Sequence, residues 1–398
     1  MNAALRVREI RITPLAIPMR LRFEHAAAAR EIADPIIVEL AAETPMHGVS
    51  GFGETLARPY VTGETAVTVA ADVAAVFAPL ISQFHAESFP EAVEFADSLP
   101  LEHGGRCVHA ARAAVELALL DLAGKAFDRP VADAATYLNL PGLSPPGCVR
   151  SVRYSGVVVG RKPLKRGLLL RLQRCAGLRD FKIKVAVDGW ENALRRTART
   201  LGSALARGAA TLRADANGGW SVKEALAAIP ILRECGVSAL EQPLPRDLDA
   251  ELPKLVAADC PDLIADESLL TEADAVRLID LGVRVLNIRI AKNGGLLPTW
   301  RLAHRARSRG ADVQLGCLVG ETSILTAAGI AFLGACPAAR FVEGAFGRWL
   351  LKGDVVRRPI TFGLGGRVPK YLAEGLGVEV DRGLLGGFAR EPATCIAL

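Results

Sequence analysis

Residues 210–268 repeat one pattern three times: ATLRADAN at 210–217, VSALEQPLP at 237–245 and DLIADES at 262–268. Each copy is a short apolar run that ends in acidic or amide side chains, and a helical pattern separates it from the next copy. A connection of this length between strands is typical of parallel pairing through a helix. The stretch therefore predicts neighbouring parallel strands whose carboxyl ends lie at the same edge of a sheet.

The same unit recurs on both sides of this stretch. Further strand patterns, each followed by a helical pattern, lie at 150–159, 181–187, 283–291, 312–317 and 339–346. Eight strands that alternate with helices predict an α/β protein with a (β/α)8 barrel of the TIM type rather than an open sheet.

The flanking regions read differently. Residues 1–135 contain strand-like runs such as VREIRITPLAIP (7–18), followed by long helical patterns, which predicts an α+β capping domain. The Pro- and Gly-rich segment LPGLSPPG (140–147) marks the change, so the barrel is predicted to span 140–372. We expect residues 373–398 to return to the capping domain and complete it.

Composition excludes several classes of protein. Hydrophobic residues make up 51% and charged residues 23% of the 398 positions, which is ordinary for a globular chain with a large core. The net charge of +5 is spread over 48 basic and 43 acidic side chains without a basic run. No apolar stretch approaches the length of a membrane span. These features argue against a nucleic-acid or membrane partner.

The eight cysteines never form a CxxC pair, and the first ten residues, MNAALRVREI, lack the apolar region of a signal peptide. The sequence therefore predicts a cytoplasmic protein with free thiols.

Three acidic residues follow the three strands of the opening stretch: Asp215, Glu241 and Asp266. Because the carboxyl ends of barrel strands meet around the active site, these carboxylates are expected to converge. Converging carboxylates repel one another unless a cation lies between them, and hard oxygen ligands suit Mg²⁺, or Mn²⁺ in its place. The alternative is that the three acids are separate helix caps or surface residues.

Two lysines, Lys182 and Lys184, lie two positions apart in FKIKVAV and should both point into the barrel. Two neighbouring ammonium groups are expected to lower the pKa of at least one of them towards the working pH, as a general base requires. The alternative is a pair of solvated lysines at a strand edge.

These residues resemble the enolase superfamily, and within it the muconate lactonizing enzyme subgroup of the mandelate racemase and muconate lactonizing enzyme family. The resemblance is carried by KxK on the second strand, then DAN, EQP and DES in order, then NIRIAKNGG on the sixth strand. It covers essentially the whole chain, including GFGETLARPYVTGET (51–65) in the capping domain. The short motifs are weak singly, but their order is specific.

The resemblance implies Mg²⁺ bound by Asp215, Glu241 and Asp266, and a small substrate carboxylate chelated to that metal. It also implies that Lys184 removes the proton alpha to this carboxylate, giving a metal-stabilised enediolate, and that Lys182 assists electrostatically. A homo-oligomer is expected as well. The mandelate racemase subgroup carries a histidine base on the seventh strand, and DVQLGCLVGETS has none.

The resemblance also suggests where substrate contacts lie. We predict them at His25 and Tyr60 in the capping domain and at Asn217, Lys292 and Glu321 in the barrel, although His25 could equally be a structural polar residue and Glu321 an ordinary helix cap.

One position departs from the subgroup. Many of its members carry a second lysine where this chain has Arg289, so that the substrate lies between two bases. Arginine stays protonated but offers a fixed fork of donors, so we predict Arg289 as a catalytic cation. The leading prediction is a one-base cycloisomerase or dehydratase-like lyase. The alternatives are a two-base racemase or epimerase of amino acids, dipeptides or betaines, with Lys292 as the suspected second base, and a catalytically silent barrel.

Overall fold

The computed structural model describes residues 4–25, 28–43, 48–143, 152–158, 163–336, 338–369 and 373–398, and it does not describe the side chains of residues 21–30 and 163. Two main sheets organise these residues, one of four strands and one of eight.

The four-stranded sheet belongs to the predicted capping region and is antiparallel, in the order β16 (Thr394–Ala397), β1 (Val7–Pro14), β4 (Ile36–Ala42) and β5 (Ser50–Thr55). Alternation in β1 buries Ile10 and Ile12 while Arg8 stays exposed. The strands from this part of the chain are β1 (Val7–Pro14), β2 (Ile17–His25), β3 (Ala28–Ala33), β4 (Ile36–Ala42), β5 (Ser50–Thr55), β6 (Glu102–His103) and β7 (Arg106–Cys107).

The helices of this part of the chain are α1 (Pro59–Thr62), α2 (Ala66–Asp72), a π-helical turn (Val73–Phe77), α3 (Ala78–Ile81), α4 (Phe89–Ser98), α5 (His109–Ala126) and a 3₁₀ segment (Val131–Leu138). The long helix α5 packs directly on β5. Gly51 and Gly53 permit this, because a Cβ atom on either would lie about 2 Å from a backbone oxygen of α5. Helix α5 is therefore buried between the capping sheet on one side and the elements that pack on its opposite side.

The eight-stranded sheet is parallel throughout, and its strands follow chain order. They are β8 (Gly156–Val158), β9 (Asp180–Lys184), β10 (Thr211–Asp215), β11 (Ala239–Glu241), β12 (Asp262–Ala265), β13 (Val285–Ile288), β14 (Asp312–Leu315) and β15 (Phe341–Val342). A parallel bridge between Tyr154 and Val342 joins the last strand to the segment that leads into the first. The sheet therefore closes into a barrel, and the predicted fold class is confirmed.

Helices connect the strands: α6 (Pro163–Cys175), α7 (Trp190–Ala206), α8 (Val222–Glu234), α9 (Leu252–Ala257, after a 3₁₀ turn at Arg246–Glu251), α10 (Glu272–Asp280), α11 (Leu296–Ser308), α12 (Ser323–Ala335) and α13 (Gly347–Leu350). Capping boxes built on Ser221 and Thr271 begin α8 and α10.

A 3₁₀ turn (Leu364–Gly366), α14 (Arg382–Gly387) and β16 (Thr394–Ala397) end the chain, and β16 pairs with β1. The domain boundaries stay a prediction, since 144–150 and 370–372 lie outside the described residues. No helix in the described part of the chain is long and apolar enough to cross a bilayer. The cysteines in that part are free thiols, and Cys148 lies outside it.

Candidate active site

The three predicted metal-binding carboxylates lie at the carboxyl ends of three consecutive barrel strands. Asp215 ends β10, Glu241 ends β11 and Asp266 directly follows β12. Asp215 and Glu241 are register partners, so they point to the same side of the sheet. All three are buried. The structure therefore brings them together at one end of the barrel interior, where the strand spacing predicted them.

Both lysines of KxK reach this group of carboxylates from β9. Lys182 Nζ lies 3.2 Å from Glu241, 3.3 Å from Asp215 and 2.8 Å from the carboxylate of Glu343. Lys184 Nζ donates to Asp215 at 2.8 Å and also to Asn217. The side chain of Lys184 is 23% exposed and that of Lys182 only 6%, so Lys184 is the one that a substrate can reach.

The surroundings of Lys182 change one expectation. Burial alone would lower its pKa, but the nearby carboxylates of Glu241, Glu343 and Asp215 together raise the pKa above its usual range. Of the two lysines, Lys182 is therefore not the one whose pKa is lowered, because three carboxylates outweigh burial and the neighbouring cation Arg213.

The carboxylates respond in opposite directions. Burial favours the neutral form of Asp215, but Lys184 and Lys182 outweigh it and lower its pKa. Asp266 behaves similarly beside Arg289 and Lys292. Burial raises the pKa of Glu241 to about 7. The charge of Lys182 would lower this pKa, but the other carboxylates nearby oppose that effect.

Arg289 follows β13 and turns towards the same carboxylates. Its guanidinium pairs with Asp266 and lies 3.8 Å from Glu241. Although burial opposes its charge, Asp266 and the acids around it raise its pKa further above the normal range. Its Nε has no hydrogen-bond partner among the described residues. Space for this side chain depends on Gly316, where a Cβ atom would lie 3.0 Å from Arg289 Cγ.

Lys292 is fully buried, and its ammonium faces Asp266 rather than open space. It donates to Asp266 O at 2.6 Å, Asp266 Oδ1 at 3.0 Å and Asn287 O at 2.8 Å. Three donors meet three acceptors, so the ammonium is fully satisfied where it stands. Its predicted role as a substrate contact or second base would require it to leave Asp266.

Three buried polar residues that the sequence analysis did not single out hold Glu241. Asn287 donates to one carboxylate oxygen and Gln314 to the other, each at 3.0 Å. Arg213 donates to the amide oxygen of Gln314, which leaves the Gln314 amide nitrogen facing Glu241. A signal for two of them existed in the chain, since Arg213 and Asn287 each lie two positions before a predicted site residue and so share its face.

The remaining predicted contacts are more scattered. Asn217 lies beside Lys184, and its amide nitrogen donates to Glu267 at 3.1 Å. Tyr60 is partly exposed in α1. The side chain of His25 lies outside the described part of the chain.

Glu321 lines a pocket of about 300 Å³, including its open mouth, together with Tyr154, Ile290 and Glu343. It accepts the backbone N–H of Leu318 at 2.5 Å, and burial raises its pKa to about 8. The pocket lies at the ends of β14 and β15, where Leu325, Thr326 and Gly329 of α12 also line it.

The three carboxylates are buried on adjacent strands, and cationic side chains lie next to them. Such a set of oxygen donors fits a hard divalent cation. As the side chains stand, no group of His, Cys, Asp or Glu within the described residues is arranged to hold an ion, because Lys182, Lys184 and Arg289 occupy positions between the carboxylates. An ion would have to displace these contacts.

Comparison with known proteins gives a consistent assignment. Residues 168–384 match the family described as "Enolase C-terminal domain-like", and residues 7–134 match "Mandelate racemase / muconate lactonizing enzyme, N-terminal domain". The L-Lys-D/L-Arg epimerase of Methylococcus capsulatus is 30% identical over 83% of this chain and 86% of its own length. Muconate cycloisomerase 1 of Rhodococcus opacus is 29% identical over 95% and 96%.

A solved structure shares the fold. The N-succinyl Arg/Lys racemase of Bacillus cereus superposes with a TM-score of 0.84 at 21% identity and covers 98% of this chain and all of its own.

Proposed function

Since the chain belongs to the mandelate racemase and muconate lactonizing enzyme family of the enolase superfamily, we propose that it removes the proton alpha to a small substrate's carboxylate and completes a one-base isomerisation or elimination. One observation carries this proposal: Lys184 is partly exposed at the barrel mouth, whereas Lys292 is fully buried with its ammonium donors used. Arg289 stands where a second base would be expected and remains protonated.

Asp215, Glu241 and Asp266 would hold Mg²⁺. Bound there, the ion would supply a Lewis acid beside the substrate carboxylate. The acids at the site are Asp215, Glu241, Asp266, Glu267 and Glu343, and the cationic groups are Lys182, Lys184, Arg213, Arg289 and Lys292. A divalent ion would add positive charge to this site, which favours an anionic substrate.

The chain's own groups then divide the work. Lys184 takes the alpha proton once its ammonium has released Asp215 and lost its own proton. Lys182, held as a cation among carboxylates, stabilises negative charge without changing protonation. The guanidinium of Arg289 presents N–H donors in a fixed geometry to the side of the substrate opposite Lys184. There it stabilises the developing charge or a leaving group.

The second candidate is a two-base epimerase. Its support is the similarity to named epimerases, including the Methylococcus capsulatus protein. The substitution of Arg289 for the second base and the burial of Lys292 are the features of this chain that oppose it.

Proton exchange distinguishes the two candidates. Each enantiomer of candidate acids with a proton on a chiral alpha carbon, including dipeptides and N-acyl amino acids, is incubated with the Mg²⁺-loaded enzyme in D₂O and followed by ¹H NMR. We expect exchange of one enantiomer only, and its loss in Lys184→Ala. Exchange and interconversion of both enantiomers would establish the epimerase, and exchange that persists in Lys184→Ala would remove this lysine from the role.

The metal assignment has its own test. Asp215→Asn, Glu241→Gln and Asp266→Asn should each weaken Mg²⁺ binding by at least about tenfold in calorimetry, because each removes an anionic ligand. Wild-type affinity in all three would place the metal elsewhere, and a wild-type protein that binds no divalent ion would favour a silent barrel.

A further inference from the structure

The loop between β13 and α11 connects the candidate site to the capping region. On its barrel side, the ammonium of Lys292 holds both the carboxylate and the backbone oxygen of Asp266. Asn293 ties the same loop to the end of β13 and to the segment after β12, because its side-chain oxygen accepts from Arg289 N at 2.9 Å while its amide donates to Leu269 O at 3.1 Å. The conformation of this loop therefore determines the position of the Lys292 ammonium, and through it the orientation of the Asp266 carboxylate.

Three residues on one face of α5 contact the backbone of this loop on the side away from Asp266. The contacts come from His109, Arg112 and Glu116, which lie three and four positions apart and are all buried. His109 Nδ1 lies 3.0 Å from Lys292 O, and Arg112 Nη1 donates to Gly294 O at 2.5 Å.

Glu116 is the third of these residues, and it contacts the backbone at the start of α11. It accepts the N–H groups of Leu296 at 2.5 Å and Leu297 at 3.0 Å, and it pairs with Arg112 on its own helix. Backbone N–H groups at a helix start have no partner within the helix, so a carboxylate there both satisfies them and fixes the helix end. The contacts of these three residues thus hold the loop at both of its ends.

The two glycines of AKNGG make this approach possible. Gly294 and Gly295 both adopt positive φ, at +90° and +124°. A Cβ atom on Gly295 would lie 2.5 Å from the Glu116 carboxylate, and one on Gly294 would lie 2.3 Å from Leu101 Cδ2. Glycine is therefore needed for both the turn and the close contact.

We propose that His109, Arg112 and Glu116 are positioning residues of the active site, which act through the 292–297 backbone to hold Lys292, and through Lys292 to hold Asp266 in place as a metal ligand. The inference rests on the proposed function, since it takes Asp266 to be such a ligand. It makes a helix outside the barrel part of the support of the metal site.

His109 is the residue to vary first, because it contacts the backbone oxygen of Lys292 itself. His109→Leu removes the donor with little change of volume. His109→Asn places an amide N–H near the position of Nδ1 and should restore the contact. Mg²⁺ affinity is measured by calorimetry, together with the electron paramagnetic resonance spectrum of bound Mn²⁺.

Two controls separate positioning from general destabilisation. Leu122→Val alters the side of α5 that packs on β5 at Gly51 and should lower the urea midpoint of unfolding without touching the loop. Glu54→Gln alters a capping-to-barrel contact at α12, which does not lead to Lys292. A merely structural role would give all of these variants unchanged metal affinity.

We expect His109→Leu to weaken Mg²⁺ binding by about threefold to tenfold and to alter the Mn²⁺ spectrum. His109→Asn should recover most of the affinity, and both controls should stay within about twofold of wild type. Wild-type Mg²⁺ affinity in a folded His109→Leu would overturn the inference alone. A wild-type protein that binds neither ion would overturn the proposed function and this inference with it.

Discussion

Glu241 shows how one residue at this site is held from several directions. Asn287 and Gln314 donate to its two oxygens, and Lys182 lies between it and Asp215. The orientation of the Gln314 amide is itself fixed, since Arg213 donates to its oxygen. Glu241 can therefore rotate little, which is the property expected of a ligand that must hold its geometry before an ion arrives.

This arrangement gives a prediction for Gln314→Glu. The new carboxylate should keep its contact with Arg213 but turn an acceptor towards Glu241 in place of a donor. Gln314→Met removes the donor without adding charge, so the Glu241 carboxylate loses one of its fixed contacts and Mg²⁺ binding should weaken by about tenfold in calorimetry. In Gln314→Glu the added negative charge attracts the cation and should offset part of this loss. Equal affinities in wild type and Gln314→Met would show that the amide does not position Glu241.

Arg289 gives a second prediction at this scale. Arg289→Met removes a charge-assisted contact and should slow alpha-proton exchange of a turned-over substrate by about 30- to 1,000-fold, which corresponds to about 2 to 4 kcal/mol. Arg289→Lys restores a cation that can also lose its proton, so it should recover part of the rate and begin to exchange the opposite enantiomer. If Arg289→Met exchanges protons as fast as wild type, the guanidinium has no part in the step.

Residue-level reasoning from the sequence succeeded where side chains on neighbouring strands follow a regular spacing. Lys182 and Lys184 share a face by the two-residue period, and Asp215, Glu241 and Asp266 recur with the strand units. It did not anticipate Gln314, whose partner Glu241 lies 73 positions away. Such a contact depends on how the barrel closes, which no local pattern encodes.

At the scale of elements, buried glutamates of the capping region complete the starts of two barrel helices. Glu116 does so for α11 and Glu54, from β5, for α12, where it accepts from Thr322 N at 2.7 Å and Leu325 N at 2.9 Å. The sequence predicted the helices but not these caps. Glu116 stands in the apolar run AAVELALL, which reads as core, and the partners of the two glutamates lie about 180 and 270 positions away.

Glu54 is buried and accepts its hydrogen bonds from neutral groups of Thr322 and Leu325, and this sets the sign of a pH dependence. Burial raises its pKa from 4.5 to about 7, so the folded protein holds a proton that the unfolded chain has lost. Stability from this group is therefore present below about pH 4.5 and declines as the pH rises towards about 7.

We therefore expect the wild-type free energy of unfolding to fall relative to that of Glu54→Gln between about pH 4.5 and 7, by up to about 3 kcal/mol. Urea denaturation of both proteins at several pH values measures this difference. A difference that is constant across this range would show that Glu54 does not titrate on unfolding.

At the scale of the whole molecule, the capping region and the barrel share polar contacts in addition to one continuous apolar core. Arg58 in the capping region donates to Val319 O at 2.9 Å, and Arg246 in the barrel donates to Val61 O at 2.8 Å. Together with the two glutamate caps, these contacts would leave buried groups without partners if one part unfolded alone. Self-association, by contrast, stays a prediction of the family resemblance.

The shared contacts predict one cooperative unfolding transition. All four tryptophans, Trp190, Trp220, Trp300 and Trp349, lie in the barrel part of the chain, so their fluorescence reports on the barrel, whereas far-ultraviolet circular dichroism reports on helices of both parts. In urea, the two signals should give coincident curves, because separating the parts would expose the carboxylates of Glu54 and Glu116 and the helix starts that they cap. A dichroism curve that begins at lower urea than the fluorescence curve would mean that the capping region unfolds first. The buried contacts between the two parts would then be too weak to couple them.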